Sequence, residues 1–167
     1  DWSSDVCSSD LGLQRLEQNM AFERSTWYHL CTNSCQQMLN TLTRIGEPMK
    51  EHAENSFSPL PKTYIEEFKP YCEGVYTTLM DINSIISNND YSTAEAVSSG
   101  AKELKHALAN LRKTQTIRLH KSSGSLRMDF VYLNLIQESH ELLSEVRNLL
   151  RGGRKFFASD NVEKSNE

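Results

Sequence analysis

The chain has 167 residues, with 22 acidic and 18 basic side chains and a formal net charge of −4. That length allows one domain of ordinary size. The acidic balance excludes a general nucleic-acid-binding protein, which would carry an excess of Lys and Arg. Seven Gly and four Pro are too few for a disordered or all-β chain, and four Cys are too few for a disulfide scaffold. With no apolar run near the roughly 20 residues of a membrane span, the composition indicates a mostly helical domain.

Residues 1–11 differ from the rest of the sequence. They have no helical periodicity, they hold four Ser and three Asp, and they lack the cationic start and apolar centre of a signal peptide. This segment resembles the conceptual translation of a common sequencing-library adapter. We therefore expect residues 1–11 to be a non-native leader and the remainder to be a fragment of a longer protein. Without the three Asp of the leader, the formal charge rises from −4 to −1.

The first predicted helix covers residues 13–47. Its apolar side chains recur at steps of three and four residues, which is typical of one face of a helix rather than of a strand. They are Leu16, Met20, Trp27, Leu30, Cys31, Cys35, Met38, Leu42 and Ile45. Pro48 predicts the end of this helix, because the residue before a proline is disfavoured in the helical conformation. The polar, Pro-containing segment 49–62 is predicted to be a loop.

A second helix is predicted from the capping box formed by Thr63 and Glu66. Its apolar face consists of Ile65, Phe68, Cys72, Val75, Leu79, Ile82 and Ile86. Pro70 lies inside this pattern, so we expect either a kink at this residue or a helix that begins near it. The polar run at residues 87–90 predicts the end of the helix.

Two more helices complete the pattern. Ser92 and Glu95 form a second predicted capping box, and the Ser/Gly run at 122–125 separates the third helix from the fourth. The third apolar face is Val97, Ala101, Leu104, Leu108, Leu111, Gln115 and Leu119. The fourth, over 126–151, is Met128, Tyr132, Leu135, Leu142, Val146 and Leu149. Gly152 and Gly153 predict the end of the fourth helix. We expect residues 12–157 to form the domain and residues 158–167 to be a disordered tail.

These elements predict an all-α fold, an antiparallel up-and-down bundle of four long helices. Short connections after the first loop favour antiparallel neighbours. Apolar residues repeat close to every 3.5 positions, which favours helices that cross at a small angle.

A short motif occurs twice, at an offset of 91 residues. Residues 42–47 read Leu-Thr-Arg-Ile-Gly-Glu and residues 133–138 read Leu-Asn-Leu-Ile-Gln-Glu, so Leu, Ile and Glu coincide. The pair resembles the PhoU family, whose two three-helix repeats each carry a motif close to Leu-Glu-Arg-Ile-Gly-Asp in the third helix. The resemblance implies that the chain holds the third helix of repeat one and all of repeat two.

A narrower resemblance is to the PhoU-like cytosolic region at the C-terminal end of bacterial sodium/phosphate cotransporters. It depends on residues 131–139, on residues 147–151 and on the position of Lys155-Phe156 near the end of the chain. It implies a regulatory domain on the cytoplasmic face of the inner membrane, whose partner is the membrane-embedded transporter portion of the same polypeptide. A homodimer also stays open as a partner, whereas no nucleic acid and no direct small-molecule substrate are expected.

The resemblance does not extend to metal binding. PhoU proteins are associated with metal clusters on paired acids of the motif, but the first acid is replaced here by Thr43 and Asn134. A single Glu per copy offers too few oxygen ligands for a hard cation. We therefore predict no metal site, no catalytic residues and no cofactor-binding residues, and we expect the chain not to be an enzyme.

Three polar groupings have ordinary structural explanations. We expect Cys31 and Cys35, with His29 nearby, to be buried apolar residues rather than zinc ligands. We expect His140, between Glu138 and Glu141, to lie on a solvated helix face.

The third grouping is basic and has two parts. One part lies around the third interhelical turn and is expected to be balanced by acids such as Glu66, Glu67 and Glu73. It consists of Arg112, Lys113, Arg118, His120, Lys121 and Arg127. The other part, Arg151, Arg154 and Lys155 followed by Phe156 and Phe157, could touch a membrane surface only weakly.

Three alternatives to the transporter domain remain. The first is a free-standing PhoU-type regulator that binds a transporter or a kinase in trans. The second is a metal-dependent or thiol enzyme that uses Cys31, Cys35 and His29. The third is a structural helical bundle in which the repeated motif is fortuitous.

Overall fold

The computed structural model describes residues 22–55, 59–121 and 125–163. They form four helices, α1 (Phe22–Glu54), α2 (Lys62–Asn88), α3 (Ala94–Lys121) and α4 (Leu126–Glu163). Within these ranges there is no strand, which confirms an all-α fold of four packed helices. None of these helices has both the length and the apolar composition that crossing a bilayer requires. The predicted leader and residues 12–21 lie outside the described residues.

Helix α4 is the centre of the bundle, because it packs against each of the other three helices. Two apolar clusters follow one another along it. The first consists of Phe68, Val75, Ala101, Leu108, Leu111, Tyr132, Ile136, Leu142 and Leu143. The second consists of Ile82, Ile85, Ala94, Val146, Leu149 and Leu150. Met38 of α1 packs against both, so α1 covers a core that α2, α3 and α4 supply.

The buried face of α2 is rotated relative to its prediction. The side chains that α2 buries are Phe68, Val75, Thr78, Ile82 and Ile85. Ile65 and Cys72, which were predicted to be buried, are exposed, and Ile86 is 39% exposed. The sequence pattern identified a helix correctly, but a helix with apolar residues on two sides does not specify which side faces its neighbours.

The predicted end of the first helix at Pro48 is wrong, because α1 continues through this proline to Glu54. Proline lacks an N–H and therefore leaves the carbonyl oxygen four residues earlier without its helical donor. That oxygen belongs to Arg44, and the side-chain amide of Asn134 in α4 donates to it at 3.0 Å. A neighbouring helix thus supplies the hydrogen bond that Pro48 removes.

Both predicted capping boxes are wrong. Helix α2 begins at Lys62 with Pro61 at the N-cap and no side-chain capping bond, so Thr63 already lies in the first turn. Before α3, the backbone N–H of Ser92 donates to Asp90 Oδ1 at 3.0 Å rather than to a glutamate. The Asp90 carboxylate therefore closes the turn that a capping box was expected to close.

Other predicted boundaries have mixed outcomes. The end of α2 is confirmed, since Asn89 adopts the left-handed conformation with φ of 51° and its N–H bonds the last turn. The alternative in which α2 begins near Pro70 is wrong, because this proline lies inside a helix that starts at Lys62. The polar run after α3 does separate two helices, which end at Lys121 and begin at Leu126.

The predicted end of the last helix at Gly152 and Gly153 is also wrong, because α4 continues to Glu163. Both glycines are buried, and neither has a positive φ. A Cβ added at Gly152 would lie 2.8 Å from Cys31 Sγ, and one added at Gly153 would overlap the Tyr91 side chain. These glycines therefore permit close packing within the bundle. The helix includes residues 158–163 of the predicted disordered tail, and residues 164–167 lie outside the described residues.

Candidate functional site

The two copies of the repeated motif contact each other across the interface of α1 and α4. Arg44 Nε donates to Glu138 Oε2 at 2.8 Å, and Arg44 Nη2 donates to Thr41 Oγ1 at 3.0 Å. The Glu138 side chain is only 11% exposed, whereas that of Arg44 is 48% exposed. A carboxylate removed from water in this way requires a cation or hydrogen-bond donors nearby. Arg44 supplies both to the second copy of the motif.

Asn134 is the second contact between the two copies. It stands where the PhoU motif has its first acid, and its amide donates to the Arg44 carbonyl that Pro48 leaves without a helical donor. A carboxylate at position 134 could not donate this hydrogen bond. The Asn134 side chain therefore has a structural role that depends on the proline of α1.

The motif side chains do not fit a metal cluster. Thr43 Oγ1 donates to the Leu39 carbonyl of its own helix at 3.1 Å, Asn134 serves Arg44, and Glu138 is engaged by the Arg44 guanidinium. A hard cation would need several oxygen ligands that this set does not offer. Across the ranges that the structure describes, no three His, Cys, Asp or Glu side chains are grouped so that they could hold a metal.

Cys31 and Cys35 differ in their surroundings. Cys31 is half-buried, and its thiol approaches the Leu149 carbonyl oxygen at 4.0 Å. Burial, with a smaller contribution from Cys35, raises the pKa of the Cys31 thiol to about 11. A thiol that stays protonated is a poor nucleophile and a poor metal ligand. The predicted burial of Cys35 is wrong, because this residue is exposed, as is His29.

His140, Glu138 and Glu141 do not converge. The solvated face expected around His140 does not include Glu138, which faces Arg44 and is buried, and His140 itself is half-buried. His140 Nδ1 lies 3.5 Å from Glu141 Oε1, and Gln137 donates to the same Glu141 oxygen at 2.7 Å. Burial first, and then the positive charge of Lys105, lower the pKa of His140 despite the opposing effect of Glu141. The geometry does not bring the three side chains to one reaction centre.

The basic cluster near the turn between α3 and α4 is partly neutralised by acids. Arg118 donates two hydrogen bonds to Glu67, at 2.6 and 2.9 Å, which confirms that Glu67 balances it. Arg127 pairs with Glu51 at 2.6 Å. Glu73 was also expected to balance this cluster, but it pairs with Lys69 of its own helix at 3.9 Å. The cluster is therefore largely a charged end of the bundle.

The aromatic part of the C-terminal basic patch packs into the bundle. The Phe156 ring lies 6.1 Å from that of Tyr28, and the Phe157 ring lies 5.8 Å from that of Tyr91. Both phenylalanines are half-buried. The aromatic half of this patch is therefore used in packing within the bundle, whereas Arg151, Arg154 and Lys155 are exposed.

The sequence did not predict a buried polar cluster near the start of α4. Tyr64 donates to Asp129 Oδ1 at 2.6 Å, and Gln115 Nε2 donates to that oxygen and to the Tyr64 hydroxyl, both at 2.9 Å. Asp129 is 4% exposed, and Gln115 is fully buried. The one sequence signal was Gln115, a polar residue at a position of the apolar face of α3. This network ties three helices together, and within it Gln115 Oε1 is buried without a hydrogen-bond partner.

Comparisons with known proteins do not assign the chain to a family. No family model matches the sequence, and no curated protein or solved structure matches it. The function must therefore be inferred from the motif resemblance and from the contacts between α1 and α4.

Proposed function

We propose that the chain is a PhoU-like regulatory domain of a bacterial sodium-dependent phosphate transporter. In this proposal it acts on the cytoplasmic face of the inner membrane, and helix contacts transmit a signal to the membrane-embedded portion of the same polypeptide. The observation that carries the proposal is the contact between the two motif copies, through Arg44 with Glu138 and Asn134 with the Arg44 carbonyl. A fortuitous repeat would not require its two copies to meet.

The arrangement of the helices supports the two-repeat interpretation. Helices α2, α3 and α4 supply both apolar clusters, as expected of one complete three-helix unit. Helix α1 then corresponds to the third helix of the preceding unit. Lys105 contacts Ser144, while Glu95, closer to the start of α3, contacts Arg154, closer to the end of α4. This order of contacts supports an antiparallel up-and-down bundle.

Helix α1 also presents apolar side chains that face away from the core. Leu39 is 57% exposed and Leu42 is 45% exposed. In the proposed arrangement, this side of α1 would face the other helices of repeat one or the membrane-embedded portion. The proposed role is regulatory rather than catalytic, because Arg44, Asn134 and Glu138 of the motif are used in contacts between helices.

The first experiment is to determine the complete gene upstream of residue 12. The proposal expects several transmembrane helices of the sodium/phosphate cotransporter type. An upstream region with only two further non-membrane helices would instead favour the alternative, a free-standing PhoU-type regulator that acts in trans. An upstream region of neither kind would contradict both.

The second experiment measures sodium-dependent uptake of labelled phosphate by the full-length protein, in cells grown with high and with low phosphate. Arg44→Gln and Glu138→Gln should each reduce the difference in uptake between the two growth conditions. The control is Lys50→Gln, which removes an equal charge from an exposed pair with Glu54 in the same helix. Regulation that is unchanged in both motif variants would contradict the proposal.

A further inference from the structure

A cleft of about 680 Å³ lies between the first half of α3 and the second half of α4. Among the described residues that line it, five are cations and one is a carboxylate, Glu95, which leaves four positive charges in excess. The cations are Lys105, Arg147, Arg151, Arg154 and Lys155. The whole chain carries a formal charge of −4, so this cleft is a strongly positive region of an acidic protein.

The cations converge because of their spacing along α4. Positions 147, 151, 154 and 155 are separated by four, three and one residues, which places them on the same face of a helix. Two of the cleft cations are held by neutral partners from the opposite helix. Lys105 Nζ donates to Ser144 Oγ at 2.5 Å, and Arg147 Nε donates to Ser98 Oγ at 3.3 Å. These hydrogen bonds orient the cations without neutralising them.

The carboxylate of the cleft does little to neutralise this charge. Glu95 approaches Arg154 only to 3.5 Å, and their side chains are 87% and 61% exposed. Exposed pairs with such geometry contribute little. By contrast, Arg44 and Arg118 outside the cleft have carboxylate partners at 2.8 and 2.6 Å.

The start of α3 adds a further positive potential. Helix α3 begins at Ala94, and Ala94, Glu95 and Ser98 of its first turns line the cleft. The N-terminal end of a helix carries a partial positive charge and favours anions. The field of this helix therefore has the same sign as that of the cations opposite it.

We infer that this cleft binds a phosphate group. Arginine guanidinium groups match phosphate oxygens in bidentate geometry, and an anion with more than one charge relieves the mutual repulsion of several cations. The phosphate could belong to free inorganic phosphate or to the headgroup of an anionic lipid, since both offer the same chemistry. The inference does not depend on the proposed transporter function, because it uses only the charges and geometry of the cleft.

The test uses the chain itself and the variant Arg151→Gln/Arg154→Gln. Both side chains are exposed, so the fold should be retained, which circular dichroism checks. The charge-matched control is Lys62→Gln/Lys113→Gln, two exposed lysines that do not line the cleft and that lie near Tyr64 and Gln115, at the other end of the bundle. Inorganic phosphate is titrated calorimetrically against a chloride background of constant ionic strength. Co-flotation is measured with phosphatidylglycerol vesicles and with neutral phosphatidylcholine vesicles.

The inference expects binding of inorganic phosphate, of phosphatidylglycerol vesicles, or of both, with no binding of phosphatidylcholine. The cleft variant should lose about tenfold or more in affinity, since each lost charge-assisted hydrogen bond is worth on the order of a factor of ten. The affinity of the control variant should change less than about twofold, as expected when distant exposed charges are removed. Binding to phosphate alone identifies the free anion, and binding to anionic vesicles alone identifies the headgroup. No binding in either arm, or equal losses in the two variants, would overturn the inference.

Discussion

Replacing Pro48 with alanine tests whether the Asn134 amide compensates for the hydrogen bond that this proline removes from α1. Proline inside a helix costs about 3 kcal/mol relative to alanine. The hydrogen bond from Asn134 offsets this cost by about 1 kcal/mol, the net contribution of one hydrogen bond to stability. Pro48→Ala should therefore stabilise the chain by about 2 kcal/mol, because the introduced alanine would supply the backbone N–H but would compete with Asn134 for the Arg44 carbonyl.

The decisive quantity is the coupling between two substitutions. Asn134→Ala should cost about 1 kcal/mol more in the wild-type background than in the Pro48→Ala background, where the Arg44 carbonyl has a backbone donor. The gain in helix propensity from Pro48→Ala is the same whether or not Asn134 is also replaced, so it cancels in the double-mutant cycle. Free energies of unfolding are measured by urea denaturation followed by far-ultraviolet circular dichroism.

Pro70 provides the matched control. It is also a proline inside a helix, but it lies in α2, away from the contact between Asn134 and Arg44. Asn134→Ala should show no coupling to Pro70→Ala. A coupling to Pro48→Ala below about 0.3 kcal/mol, the usual scatter of independent sites, would refute the compensation.

Three further predictions concern packing and charge. Gly152→Ala should destabilise the chain, because the new Cβ would lie 2.8 Å from Cys31 Sγ. In a double-mutant cycle measured by denaturation, Cys31→Ala should relieve part of that loss. Equal losses from Gly152→Ala with and without Cys31→Ala would contradict this contact. The Cys31 thiol, with a pKa of about 11, should react more slowly with iodoacetamide at pH 8 than exposed Cys72, as measured by peptide mass mapping; comparable rates would argue against the burial of Cys31. Arg118 lowers the pKa of Glu67 below its ordinary 4.5. The contribution of this pair to the free energy of unfolding is therefore fully present above pH 4.5 and is lost as the pH falls through the lowered pKa. Glu67→Gln should therefore show a weaker loss of stability in urea titrations below pH 4.5, and an unchanged pH profile would contradict the assignment.

The proposed function and the anion cleft place two different features on α4. The motif contact at Glu138 faces α1, whereas Arg147 and Arg151 line the cleft with α3. A ligand in that cleft would bind to the same rigid helix that carries the second motif copy. The two proposals are tested separately, since one concerns the complete gene and regulated uptake and the other concerns binding by the chain alone.

The candidate site shows which parts of a contact are readable in a sequence. The motif itself was visible as a repeat of residues 42–47 at 133–138. The partners of its side chains were not visible, because Arg44 and Glu138 are 94 residues apart and no local rule pairs them. The cleft was not predicted: the sequence grouped Arg151 and Arg154 with Lys155, but Lys105 belongs to a different helix from the arginines around it.

Within the residues that the structure describes, the sequence by itself determined the presence of four helices, and it located the breaks after α2 and after α3. These features depend on local properties, namely the three- and four-residue spacing of apolar side chains and the polar runs that interrupt it. Only the tertiary structure decided that the helices continue through Pro48 and through Gly152. The reason is that a proline or a glycine ends a helix only when nothing else compensates. Here the compensation comes from other helices, as a hydrogen bond from Asn134 and as close packing against Cys31.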